Sequence, residues 1–100
     1  MTDNKMRLPQ STLPRLTLGQ VVMTRGVANV LTKQEIHTAL YRHQCGDWGM
    51  VCPSDWNEND EATNTSCRIL SAYEGSTGVK FWIITEWDRS VTTILLPEEY

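Results

Sequence analysis

Catalytic signatures are missing from this chain. Its 100 residues contain no G-x-S-x-G elbow, no phosphate-binding G-x-x-x-x-G-K-[ST] loop, no dinucleotide fingerprint, no H-E-x-x-H helix and no C-x-x-C pair. Long apolar runs are missing too. No stretch approaches the roughly 18–20 residues that span a bilayer, and Met1–Leu8 lacks the apolar segment of a secretory signal. Cysteine is scarce: Cys45, Cys52 and Cys67 are odd in number and follow no repeated spacing. A disulfide framework in an exported chain uses an even count. The expectation is therefore a cytoplasmic chain with reduced thiols and no membrane association.

Excess charge of either sign is also lacking. Nine Lys and Arg against twelve Asp and Glu give a net charge of −3 and a pI near 5.2. Direct nucleic-acid binding, which calls for a basic patch, is not expected. The acidity is equally short of a DNA mimic's. His37, His43, Cys45 and Cys52 follow an H-x5-H-x-C-x6-C pattern. Zinc fingers and ribbons pair their ligands two to four residues apart, so neither a metal site nor a cofactor site is expected. The acidic run Glu58, Asp60, Glu61 lacks the alternating ligands and glycine of a calcium loop and reads as a solvated helix face.

Dense apolar content is concentrated in Val79–Tyr100. Residues with period-two patterning, many β-branched or aromatic, mark strands at about 67–74, 79–86 and 91–96. Gly75-Ser76-Thr77-Gly78 and a polar Glu86–Ser90 turn connect them. Pro97 ends the last, having no N–H for a ladder. This predicts a three-stranded antiparallel meander whose middle strand is apolar on both faces. Upstream, Thr24 reads as the cap of a helix at about 24–31. Thr32-Lys33-Gln34-Glu35 is a capping box opening a second helix at about 32–43, with Ile36, Leu40 and His43 on one stripe. His37 and His43 read as helix-surface groups. Ser54 is a candidate cap for a third helix at about 54–64, with Asp55 in its first turn and Trp56 and Ala62 inward. Gln20–Met23 is a short extended segment that either adds an edge strand or leads into the first helix.

The fold class is thus α+β, one domain over residues 16–100 with its helices on one sheet face. Residues 1–15 form a disordered or loosely draped arm too polar to offset its ordering entropy. The other sheet face retains Phe81 or Trp82, depending on register. A partly exposed aromatic face implies a homodimer or a partner protein. Gly46-Asp47-Trp48-Gly49 reads as a turn with unusual backbone angles at one or both glycines. Trp48 reads as a lid over the core, or as an anchor for a partner. The Trp87–Ser90 corner can pair Asp88 with Arg89 or Arg68, and an Asp/Arg site can bind a carboxylate or phosphate. A turn held by hydrogen bonds is the plainer reading.

Four separated motifs occur in order: Gly46-Asp47-Trp48-Gly49, Leu70-Ser71-Ala72-Tyr73, Trp82-Ile83-Ile84-Thr85-Glu86-Trp87-Asp88-Arg89-Ser90, and Ile94-Leu95-Leu96-Pro97-Glu98-Glu99-Tyr100. From about Leu18 onward the chain resembles a family of small proteins carried on bacterial plasmids, integrative elements and prophages. Members are often labelled plasmid-related proteins or a type I restriction modification subunit. The second label does not suit this chain, which has no N-P-P-[FY] motif and no glycine-rich adenosylmethionine loop. It departs from the family with Trp87 where alanine is common and with a longer polar stretch at 57–66. The resemblance implies a non-enzymatic accessory protein of mobile DNA that binds a host protein, foremost a CRISPR or restriction defence component. Its contact surface would use Trp48, Trp56, Asp60, Glu61, Trp87, Asp88 and Arg89. A toxin–antitoxin or regulatory component, and a small enzyme using Asp88 and Arg89, are the alternatives.

Overall fold

Alternating burial along three β-rich runs builds most of the sheet. In the computed structural model, which describes residues 15–100, the strands are β1 (Gln20–Met23), β2 (Ile69–Glu74), β3 (Lys80–Thr85) and β4 (Val91–Leu95). Their order is β1-β4-β3-β2. The β2–β3 and β3–β4 pairs are antiparallel. β1 runs parallel to β4, with Val21 opposite Thr92 and Met23 opposite Ile94. The sheet is therefore four-stranded and mixed, not a three-stranded antiparallel meander. β1 is exposed at every residue, so no alternation marks it in the sequence, and its partner lies at the far end of the chain.

The helices are α1 (Arg25–Val30), α2 (Lys33–Gln44) and α3 (Pro53–Ala62). Thr24 caps α1 by accepting from the Val27 amide at 3.2 Å. The capping box of α2 is present: Thr32 Oγ1 accepts from the Glu35 amide, and Glu35 accepts from the Thr32 amide. Glu35 also accepts from the Ser76 amide at 2.7 Å, which ties the β2–β3 turn to the helix. These amides hold its carboxyl down at about 2. α3 starts one residue before the expected Ser54 cap, because Pro53 occupies the first helical position. There its fixed φ suits the helix and its missing N–H leaves nothing unpaired. No helix among the described residues is long and apolar enough to cross a membrane.

The strand register sets which aromatic faces the helices. Tyr73 lies opposite Phe81 and Ile83 opposite Ile94. These four pack with Val27, Leu31, Ile36 and Ala39 in one core cluster. Leu16, Trp48, Ala62 and Ile69 form a second, with Leu18, Val51 and Trp56 against it. Phe81 is thus inward. Trp82 points to the opposite face, where it is half-buried and meets the Tyr100 ring edge-on at 5.7 Å.

The outer edge of β2 is closed. Ala72 donates to the Trp48 carbonyl at 3.1 Å and accepts from the Met50 amide at 2.7 Å, and Asn59 Nδ2 donates to the Leu70 carbonyl at 2.8 Å. Both glycines of the Gly46–Gly49 turn have positive φ, 83° and 75°. At Gly49 a Cβ would sit 2.0 Å from the Ala72 carbonyl oxygen, so only glycine admits this approach. The expected N-terminal arm lies outside the described residues except for Arg15, whose amide donates to the Gln44 carbonyl.

The register makes a direct prediction. Phe81→Ala opens a cavity in the helix-side core and should cost about 3–5 kcal/mol in urea unfolding. Trp82→Ala, on the half-buried face, should cost less than half as much. A reversed ranking would place the wrong aromatic inside.

Candidate functional site

The β3–β4 turn is short, polar and tightly held. The Arg89 amide donates to the Glu86 carbonyl at 2.9 Å, and the Glu86 amide to the Val91 carbonyl at 3.0 Å. Asp88 Oδ1 accepts from the Ser90 amide at 3.1 Å and from its hydroxyl at 2.7 Å. These bonds, the Ser90 hydroxyl foremost, hold the Asp88 carboxyl below the usual carboxylate range. Arg89 has φ 60°, a left-handed conformation costing a non-glycine residue about 1–2 kcal/mol.

That conformation turns the Arg89 side chain back under the corner. Nη1 donates to the carbonyls of Cys67 (2.6 Å) and Glu86 (3.1 Å), and Nη2 to those of Ala62 (2.5 Å) and Thr65 (2.9 Å). Ala62 is the last residue of α3. Carbonyls at a helix C-terminus lack partners and carry partial negative charge, so a cation is favoured there. The corner is the hydrogen-bonded turn that was the plainer reading, and Asp88 pairs with neither Arg89 nor Arg68. Asp88 is engaged by Ser90, Arg89 by carbonyls, and Arg68 donates to Tyr100 Oη at 2.7 Å. Trp87, two residues before Arg89, is left 60% exposed on this pinned turn.

The other expected contact residues separate. Trp48 is fully buried, so its ring serves the core and offers no surface to a partner. Its Nε1 donates to Asp60 Oδ1 at 2.9 Å, and Arg15 Nη2 lies 3.6 Å from the same oxygen. Trp56 is half-buried against the second cluster and lines a shallow cleft of about 320 Å³ with Val51, Pro53 and Asn57. Glu61 is exposed and immediately precedes Ala62, whose carbonyl Arg89 holds. The structure therefore brings Trp87, Asp88 and Arg89 to one corner, while Glu61 lines a separate cleft with Glu58 and Arg68. Trp56 and Asp60 lie along α3, and Trp48 lies inside.

A buried polar chain that no sequence motif marks runs through the core. His43, expected on the helix surface, is fully buried between the two clusters, its ring edge-on to Trp48 at 5.6 Å. Thr92 Oγ1 donates to the Leu18 carbonyl at 2.8 Å. Its oxygen therefore accepts from the Thr85 hydroxyl at 2.7 Å. Thr85 in turn accepts from His43 Nε2–H at 2.9 Å, and His43 Nδ1 accepts from Ser71 at 2.5 Å. The assignment uses every proton once and requires neutral His43. Burial, with a smaller contribution from the positive charge of Arg89, pushes its pKa down to about 3. Ser71 and His43 stand at the distance of a nucleophile and its base, but both are fully buried and a substrate has no approach. A signal existed: Ser71 and Thr85 sit on the inward faces of predicted strands, opposite a helix stripe that contains a histidine.

Comparison of the chain with protein-family models, with curated proteins and with solved structures finds no match.

Two outcomes test this geometry. Unfolded histidine titrates near 6.5, so the contribution of neutral His43 is complete above that pH and is lost as pH falls towards 3. Chemical denaturation between pH 6.5 and pH 5, mostly above the range where carboxylates take up protons, should show stability falling with a slope that steepens towards about 1.4 kcal/mol per unit. His43→Gln should flatten that slope. At the corner, Arg89→Ala removes four hydrogen bonds, though the Ala62 and Glu86 carbonyls keep a backbone donor, and should cost about 2 kcal/mol. Arg89→Gly, which adopts φ 60° freely, should cost about 1 kcal/mol less than Arg89→Ala.

Proposed function

We propose that this chain is a non-enzymatic, mobile-element-encoded protein that binds and modulates a host protein, foremost a component of a CRISPR or restriction defence system. The observation that carries the binding role is Trp87, a large aromatic 60% exposed on a turn clamped from below by Arg89. Trp and Arg are over-represented among residues that dominate protein interfaces. A turn whose backbone is already fixed loses little freedom on binding, so more of the burial energy of Trp87 reaches the affinity. Asp88, exposed beside it, supplies an acidic rim and suits a partner with an apolar pocket edged by a basic side chain. The resemblance to proteins of plasmids, integrative elements and prophages supports the setting and the class of partner.

Expressed in a host with an active restriction or CRISPR system, the protein should raise establishment of a targeted plasmid or phage well above the empty vector. Trp87→Ala should return it close to the vector level while leaving the thermal unfolding midpoint within a few degrees. Unchanged survival in every defended host would contradict the defence assignment. Growth arrest on induction, relieved by a neighbouring gene, would favour the toxin–antitoxin reading instead.

A further inference from the structure

The two edges of the sheet are treated differently. The β2 edge is blocked by Trp48, Met50 and Asn59. At the β1 edge, no strand among the described residues pairs on the outer side. Sheet proteins usually guard such an edge with a charge, a proline or a bulge. β1 reads Gln20-Val21-Val22-Met23, with none of these, and its apolar side chains are 40%, 38% and 45% exposed. Val30, on the helix that follows, is also 43% exposed.

Hydrogen bonding fixes which backbone groups point outward. The amides of Gln20 and Thr24 donate inward to the carbonyls of Ser90 and Ile94, both at 3.0 Å. Strand groups alternate in direction, so Val22 also faces β4, while the N–H and C=O of Val21 and Met23 face away from the sheet. We propose that β1 is a self-association edge at which a second copy of this chain adds antiparallel across a two-fold axis passing Val22. In that register Val21 and the second copy's Met23 form hydrogen-bonded pairs in both directions, satisfying all four outward groups. Val22 faces Val22 at the axis as a close, non-hydrogen-bonded pair. Helices of both copies lie on the same side of one continuous sheet. Apolar side chains meet apolar side chains on both faces, and Arg25 falls opposite Gly19, where no side chain opposes its charge. Self-complementarity of this kind is what an isologous two-fold contact demands. An added strand this short buries less than the roughly 1,200 Å² of a standard interface, so the dimer is of modest affinity.

Sedimentation equilibrium of the full chain, from dilute to near-millimolar protein, should show reversible association from 11.4 kDa to twice that mass. Val22→Lys sets two cations against each other at the axis and should weaken association at least tenfold, with circular dichroism and the melting midpoint near wild type. A second probe covers the case in which Val22→Lys fails to fold. Val22→Cys, combined with Cys52→Ser and Cys67→Ser, should oxidise to a covalent dimer, because a non-hydrogen-bonded pair at a two-fold suits a disulfide. A wild-type chain that stays monomeric throughout, alone or bound to another protein's strand, overturns the proposal. So does a dimer whose affinity Val22→Lys leaves unchanged, or one that Val22→Cys does not cross-link.

Discussion

One guanidinium ties four backbone segments together at one corner of the sheet. Arg89 binds four backbone carbonyls, from the end of α3, the turn after it, the approach to β2 and the β3–β4 turn itself. Its own carbonyl, with that of Ser90, lies so close to Gly19 that a Cβ there would come within 2.4 Å. The Ser90 carbonyl accepts from Gln20 and starts β1. A cation surrounded by carbonyls needs no carboxylate, and its charge suits the negative end of a helix. The left-handed backbone at Arg89 is what aims the side chain inward and leaves Trp87 outside. Structural order and the proposed contact surface thus share one cause.

Beneath the helices the core is divided by a polar seam. Ser71, His43, Thr85 and Thr92 run between two apolar clusters and end on the Leu18 carbonyl. Fully satisfied, such a chain adds little net stability per bond, but a half-satisfied one is costly at low dielectric. Slipping β3 by one residue would carry Thr85 away from His43 and Thr92 and exchange Phe81 for Trp82. The seam therefore adds to the hydrophobic pattern in specifying register, at the expense of making the fold acid-sensitive through His43.

Features governed by neighbours in sequence were legible in advance. The Thr32–Glu35 box depends on residues three apart, and the shared face of Phe81 and Ile83 on the two-residue period, although which face turns inward waited on the register. The positive φ of Gly46 and Gly49 depends on glycine itself. Features set by distant parts of the chain were not. Gln20–Met23 reads from sequence as an edge strand or as a lead-in to α1, and only the edge that β4 offers decides for the strand. His43 lies on the expected stripe of α2, and only the hydroxyls of β2 and β3 make its burial tolerable. The Trp87–Ser90 corner was legible as a hydrogen-bonded turn, but the partners of Arg89 were not, because they are backbone carbonyls that sequence does not display. Of the candidate contact residues, Trp87, Asp88 and Arg89 come together at one corner, while Trp48 was claimed by the core.

The central claim is that Trp87 is presented on a rigid corner before any partner arrives, and nitrogen-15 relaxation of the free protein tests it most directly. Backbone order parameters across residues 86–90 should match those of β3 and β4, near the value of about 0.85 typical of rigid backbone. They should fall at this corner, and not across the sheet, in Arg89→Ala. Values below about 0.6 in the wild-type corner, the range of a flexible loop, would contradict the account.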